Sequence, residues 1–179
     1  IGYDKNYVRG EGQYLWDAEG SRYLDFLSGY GVFTMGRNHP KIKAALHAAL
    51  DAHHASMVQM DAPLLAAQLA EKLLSKMPSH VDTVFFTNSG TEANEAAIKF
   101  AKCATGRGRI VYLEHAFHGL TNGSLSLNGN DEFRSGFEPL LPNCTPVPLN
   151  DIAALEKELA AKDVAAFVFE PIQGKGVYL

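Results

Sequence analysis

The stretch VDTVFFTNSGTEANEAAIKFAK, residues 81–102, decides the fold. Val84, Phe85, Phe86 and Thr87 form a short β-branched and aromatic run of the kind that fills a buried central strand. Asn88, Ser89 and Gly90 supply turn chemistry, and Ser89 with Glu92 has the Ser-x-x-Glu spacing of a capping box, which marks a helix start. Beyond it Ala93, Ala96, Ala97, Phe100, Ala101 and Ala104 fall on one helical stripe. Glu95 and Lys99, four apart, read as a charge pair on a flank away from that stripe. Thr105 and Gly106 close the helix with a residue that tolerates positive φ. The stretch therefore predicts a strand, a sharp turn and a helix whose first turn lies open to a ligand. A helix N-terminus carries free N–H groups and about half a positive charge, so it binds phosphate well. Gly90 lets the backbone approach an anion, and the Ser89 and Thr91 hydroxyls can add hydrogen bonds. Taken alone, such a turn is more often a plain helix cap, and the rest of the chain has to decide.

Downstream, Arg109 through Leu113 read as a second strand that runs into residues 114–119. Residues 119–150, rich in Gly, Asn and Pro, read as a long loop, which in a compact domain is usually functional or covers something. Asn150 is expected to cap a helix running to about Lys162, with Ile152, Leu155 and Leu159 inward. Residues 164–169 read as a last buried strand, followed by Glu170, Pro171, Ile172, Gln173 and Gly174. Upstream, residues 12–27 predict a β-hairpin turning at Asp17 to Gly20, and residues 28–33 a glycine-rich loop carrying Tyr30 and Phe33. One helix is expected from Pro40 to about Ala52 and another from Pro63, stopped by Pro78. Strands alternating with helices of this length imply an α/β fold with a mostly parallel sheet and flanking helices. In such sheets ligands bind beyond the C-terminal ends of the strands. Three clusters each follow a strand: Ser89, Gly90 and Thr91; Phe117, His118 and Gly119; Glu170 through Gln173. Their convergence favours an anion site over a bare cap.

Composition bounds the rest. A hydrophobic fraction of 46% with 20% charged residues is ordinary for a globular protein. The net charge of −4 argues against nucleic-acid partners and against anionic membrane surfaces. No apolar run approaches the roughly 20 residues that a membrane span needs. Cys103 and Cys144 are too few for a disulfide scaffold, so a reducing, cytoplasmic home is expected. His115 with His118, and His53 with His54, lack a third ligand at a useful spacing, so no metal site is expected. Neither the phosphate-binding loop Gly-x-x-x-x-Gly-Lys-Ser/Thr nor the dinucleotide fingerprint Gly-x-Gly-x-x-Gly is present.

A flat, phosphorylated, heteroaromatic ligand would use all three clusters, and with that the chain resembles the class III aminotransferases of the pyridoxal-phosphate fold type I superfamily. The resemblance rests on YLWD at 14–17, YLDFLSG at 23–29, NHP at 38–40, TNSGTEANEAAIK at 87–99, AFHG at 116–119 and EPIQG at 170–174, in family order. The subgroup resembled is that of ornithine, acetylornithine, putrescine and 4-aminobutyrate aminotransferases. It implies an N-terminal segment over residues 1–52 (hairpin, glycine-rich loop, first helix) and an incomplete cofactor-binding large domain over residues 53–179. It further implies pyridoxal 5′-phosphate as cofactor, with Ser89, Gly90 and Thr91 at the phosphate and Phe117 stacked on the pyridine ring. His118 would sit beside the ring, Glu170 near the cofactor, and Gln173 at its edge or in support of the loop. Tyr30 falls where ornithine-type members carry a substrate-facing aromatic, often reaching across a homodimer interface. The substrates implied are an amine or amino acid, of ω-amino type, and a 2-oxo acid.

Two departures accompany the match. The family's Schiff-base lysine, and the aspartate that pairs with the pyridine nitrogen, follow later in the family's order than residue 179. No residue here is assigned as catalytic, and this stretch is expected to be an N-terminal fragment inactive by itself. Lys175 stands where ornithine- and aminobutyrate-type members carry a glutamate that pairs with a substrate-binding arginine. A lysine would repel that arginine, so either substrate handling differs or Lys175 itself binds a carboxylate. The alternative to an enzyme is a non-catalytic remnant of the same fold that binds a phosphate ligand or dimerises.

Overall fold

The structure, a computed structural model, describes residues 4–55, 58 and 60–175. The chain divides into two compact units, residues 1–83 and 84–179, each with its own sheet.

In the first unit β1 (Tyr7–Glu11), β2 (Tyr14–Asp17) and β3 (Arg22–Leu24) form an antiparallel meander in chain order. The expected hairpin is β2 and β3, which pair from Tyr14 opposite Leu24 to Trp16 opposite Arg22. Its turn is tied by Asp17, whose buried carboxylate accepts from Ser21 N–H and Tyr23 O–H, each at 2.7 Å. The glycine-rich loop holds a single turn, α1 (Ser28–Gly31), with φ of 51° at Ser28, 62° at Gly29, 56° at Tyr30 and 83° at Gly31. Helix α2 (Pro40–Asp51) starts on the expected proline, with His39 Nδ1 accepting from Lys41 N–H at its cap. Helix α3 (Leu64–Leu74) follows Pro63.

In the second unit β4 (Arg109–Leu113) is flanked in parallel by β5 (Cys144–Val147) and β6 (Val164–Val168), in the order β5-β4-β6. β4 is the central strand, with Ile110, Val111 and Tyr112 at 1% exposure or less. Its alternation sorts two cores. Ile110 and Tyr112 pack with Ile98 of α4 (Gly90–Thr105) and with Leu127. Val111 and Leu113 pack with Val147, Val164 and Leu155 of α7 (Ile152–Ala160). Helix α4 thus serves one face of the sheet and α7 the other. Two one-turn helices, α5 (Asn122–Leu125) and α6 (Asp131–Arg134), lie in the long connection. At the start of β4 the Arg109 guanidinium bonds Asp163 and the Glu158 carbonyl and pairs with the Glu158 carboxylate, fastening this strand to α7 and β6.

Several sequence expectations need correction. Residues 84–87 join no ladder among the described residues, and Phe85 and Phe86 are exposed. Instead the Phe85 ring meets Phe100 of α4 edge-on at 5.1 Å. High β propensity becomes a strand only in a ladder with another strand, and 84–87 pairs with none among the described residues. β5 was hidden inside the expected loop, because a four-residue strand containing Pro146 gives almost no periodic signal. The proline is tolerated because β5 is an edge. Asp151, not Asn150, caps α7, its carboxylate accepting from Ala154 N–H at 2.9 Å. Ile152 and Leu159 are 65% and 43% exposed rather than inward, and Leu155 alone of the three packs on the core. On α4 the buried residue is Ile98, so the packed face runs through Thr91, Asn94, Ile98 and Ala101 rather than along the alanine stripe. Burying one isoleucine against β4 outweighs burying several alanines, which rotates the helix.

Candidate functional site

That rotation puts a polar end on a buried face. Ser89 is the N-cap of α4 in extended conformation, φ −154° and ψ 161°, and its hydroxyl accepts from Glu92 N–H at 3.3 Å. Glu92 reaches back in a variant of the capping box, its carboxylate accepting from the N–H of Asn88, one residue before the cap, at 2.8 Å and from the Ser89 hydroxyl at 3.0 Å. Ala93 N–H is taken by the Ser89 carbonyl. The Gly90 and Thr91 N–H groups find no acceptor among the described residues. A Cβ built on Gly90 meets nothing within 4 Å, so the space beside it is open. At the far end Gly106 takes the left-handed cap, φ 67°, as its type and position require.

Thr91 is joined to the next segment. Its Oγ1 lies 2.6 Å from Ser124 Oγ and 2.8 Å from Thr121 Oγ1, and accepts from Thr121 N–H at 3.2 Å. Asn94 donates through Nδ2 to the His118 carbonyl at 2.7 Å and to the Gly90 carbonyl at 3.2 Å. The first turn of α4 is thereby fixed against the residues that follow β4.

Those residues are held in turn from β6. The Glu170 carboxylate accepts from Phe117 N–H at 2.9 Å through one oxygen and from Gly174 N–H at 2.8 Å through the other. Parallel pairing brings the ends of β4 and β6 to the same side of the sheet, with Tyr112 opposite Val168, so this bridge spans two adjacent strand ends. The Phe117 ring is half-buried and meets Phe133 edge-on at 5.2 Å. His118 is buried; its N–H donates to Asn128 Oδ1 at 2.7 Å, and Asn128 Nδ2 donates to the Gly119 carbonyl at 2.9 Å. Its Nε2 is buried without a hydrogen-bond partner among the described residues. Burial holds its imidazole below the usual histidine range, partly offset by the Glu170 charge. Gln173, 1% exposed, donates through Nε2 to the Glu114 carbonyl at 2.9 Å, while its Oε1 is also buried and unpartnered. Two buried side-chain polar atoms without a partner in one site are uncommon and call for a ligand or a reason.

The three clusters picked out by position after a strand are therefore brought together: Ser89 to Thr91, Phe117 to Gly119, and Glu170 to Gln173. Lys175 pairs with Glu132, and its Nζ lies 3.7 Å above the Phe133 ring. Tyr30 belongs to the first unit, 89% exposed on the strained turn α1. Asn94 and Asn128 build the site but were not anticipated. Asn94 sits four residues after Gly90, a spacing that could have marked it; Asn128 lies within a featureless loop and bonds residues nine and ten positions away. Nor was the role of Glu95 visible, since it bonds Thr121, Gly123 and Ser124 rather than standing as half of a pair with Lys99. No helix among the described residues is long and apolar enough to cross a membrane.

Known proteins resemble this chain in sequence and fold. Over 174 residues the chain is 44% identical to aminotransferase PigE of Serratia sp., covering 97% of this chain and 20% of that protein. It is 43% identical over 177 residues to the acetylornithine aminotransferase of Halalkalibacterium halodurans, covering 97% of this chain and 44% of the relative. Among solved structures it superposes on the ornithine aminotransferase of Toxoplasma gondii with a TM-score of 0.88 at 26% identity, over 96% of this chain and 42% of that one. A pyridoxal-phosphate-bound amine transaminase from an uncultivated Pseudomonas species gives a TM-score of 0.88 at 27% identity, over 97% and 46%. The chain thus spans less than half the length of each of these relatives. The family profile of aminotransferase class-III matches residues 3–179, and the chain belongs to that family.

Proposed function

We propose that these residues are the N-terminal part of a pyridoxal-phosphate-dependent aminotransferase that moves an amino group from an amine or amino acid, of ω-amino type, to a 2-oxo acid. The observation that carries this reading is the junction of the first turn of α4 with the segment 117–119. One side offers two unengaged N–H groups, and the other an aromatic ring. Open space at Gly90 and the unpartnered His118 Nε2 and Gln173 Oε1 fit a ligand with a phosphate at one end and a polar ring at the other.

Each residue then has a distinct task. The Gly90 and Thr91 N–H groups and the Ser89 hydroxyl bind the phosphate, with the helix dipole favouring its charge. The Thr91 hydroxyl is spent on Thr121 and Ser124, so Thr91 contributes through its backbone. Phe117 covers one face of the ring, held by Glu170, which acts as a positioning carboxylate because both its oxygens are occupied. His118 and Gln173 offer their free atoms to the polar edge. When bound, pyridoxal phosphate supplies a reactive carbonyl and an electron-accepting ring. Tyr30 and Lys175 are assigned to the substrate side, and Lys175 reaches it only by leaving Glu132 or by orienting Phe133 against Phe117. The enzyme is proposed to be a cytoplasmic homodimer, with residues 53–179 forming part of its large domain.

Phe117→Ala in the whole protein tests the assignment. Pyridoxal-phosphate retention through gel filtration should drop while the circular dichroism spectrum is kept. Unchanged cofactor affinity would remove Phe117 from the site.

A further inference from the structure

The second turn of α4 carries a carboxylate that neither the composition of the site nor the resemblance assigns. Glu95 Oε1 accepts from Gly123 N–H at 2.9 Å, from Ser124 N–H at 3.0 Å and from the Thr121 hydroxyl. All three donors belong to the turn that contacts Thr91, one helical turn before Glu95 on the same face.

The proton count orders the cluster. An ionised Glu95 can only accept, so the Thr121 proton points to it. Thr121 Oγ1 is then left as an acceptor, 2.8 Å from Thr91 Oγ1 and 3.0 Å from Ser124 Oγ. Ser124 donates to the Thr121 carbonyl at 3.1 Å, which leaves Ser124 Oγ to accept the Thr91 proton at 2.6 Å. Every hydroxyl has a place, and the Thr91 side chain is turned into the cluster. The fit is close on both sides. A Cβ on Gly119 would lie 2.3 Å from Thr91 Oγ1, at a φ of 125° that already favours glycine, and one on Gly123 would lie 2.2 Å from Glu95 Oε2. The two segments meet at distances only glycine permits.

We propose that Glu95 is a positioning residue for the phosphate cradle. By fastening the 121–124 turn to α4 it holds Thr91 with its hydroxyl inward and its N–H, beside that of Gly90, toward the anion. This rests on the reading of Ser89 to Thr91 as the phosphate-binding turn, and it predicts an effect specific to the phosphate.

The test compares affinities of the whole protein for pyridoxal phosphate and for pyridoxal, which lacks the phosphate, in wild type, Glu95→Ala, Glu95→Gln, Thr121→Val and Gly90→Ala. Loss of one well-made hydrogen bond corresponds to about tenfold in affinity. Glu95→Ala is expected to weaken pyridoxal phosphate by about that factor while leaving pyridoxal unchanged. Glu95→Gln retains a carbonyl oxygen for all three donors and should recover most of the affinity. Thr121→Val, nearly isosteric at an exposed position, tests the same chain of bonds if Glu95→Ala fails to fold, and should weaken pyridoxal phosphate selectively. Equal losses for both ligands would overturn the proposal in favour of a purely structural role. Full affinity in both Glu95→Ala and Thr121→Val, with Gly90→Ala impaired, would overturn it and leave the phosphate-binding turn standing. Full affinity in Gly90→Ala as well would remove that turn, and the proposal with it.

Discussion

Gly90→Ala separates a helix cap from a phosphate cradle because both readings predict a more stable ligand-free protein, but only the cradle predicts a loss of cofactor affinity with it. Gly90 is the first residue of α4, its φ is not in the left-handed region, and an added methyl meets no atom within 4 Å. Nothing in the folded chain resists the change. Alanine narrows the unfolded ensemble and should stabilise the ligand-free protein by about 0.4–1 kcal/mol, with a helix terminus at the lower end. That corresponds to a rise of roughly 1–4 °C in unfolding midpoint for domains of this size. The same methyl occupies the open space through which an anion reaches the Gly90 and Thr91 N–H groups. Losing one charge-assisted hydrogen bond to the phosphate costs about 1.5–3 kcal/mol, or roughly ten- to hundredfold in affinity. Thermal unfolding of the apo protein and a titration with pyridoxal phosphate read the two effects separately. A higher midpoint with unchanged affinity would mean that the turn is only a cap, and the assignment of Ser89, Gly90 and Thr91 would fail.

Glu170→Gln leaves one acceptor oxygen for two N–H groups, at Phe117 and Gly174, and turns an NH₂ toward the other. The expected cost is about 1–3 kcal/mol in stability, measured by denaturant unfolding, together with weaker cofactor retention. No change in either would show that the two bonds do not hold the Phe117 segment. For His118, burial depresses the folded pKa below the ordinary histidine value of 6.5. The unfolded chain takes up a proton that the folded chain refuses, so this contribution to stability is complete above that value. It is lost as pH falls from there toward the depressed folded pKa. The stability difference between wild type and His118→Gln, followed from pH 8 to 5 on the scale where histidine titrates, should therefore decline on the acidic side. A flat difference would contradict the buried neutral imidazole.

Much of the second unit was legible because its signals are local. The capping box at Ser89 and Glu92, the left-handed Gly106, the apolar run of β4 and the hydrophobic strand β6 each carry their own evidence within a few residues. The meeting of two of the clusters was legible for a related reason: parallel β4 and β6 bring their C-terminal ends to one side, so the segments after them meet, whereas Ser89 to Thr91 joins them through α4 and not from the end of a paired strand. What escaped depends on distant partners. The run at 84–87 has strand composition but pairs with no strand among the described residues, while β5 pairs with β4 and has no strand signature. The face of α4 was misjudged because counting alanines ignores the weight of Ile98, and Glu95 fell on a flank away from that miscounted stripe. Once Ile98 is placed against β4, Thr91, Asn94 and Glu95 all turn toward the site. The sequence could not show that rotation without the sheet it packs on.

Amino transfer by the whole protein is the decisive measurement. The whole protein, stripped of cofactor, would be supplied with 2-oxoglutarate and in turn with ornithine, acetylornithine, putrescine and 4-aminobutyrate, and glutamate would be assayed with and without added pyridoxal phosphate. Glutamate is expected from at least one of these amines, appearing only when pyridoxal phosphate is present. Retention of pyridoxal phosphate with no amino transfer from any of them would contradict the aminotransferase assignment and leave a phosphate-ligand-binding protein of the same fold.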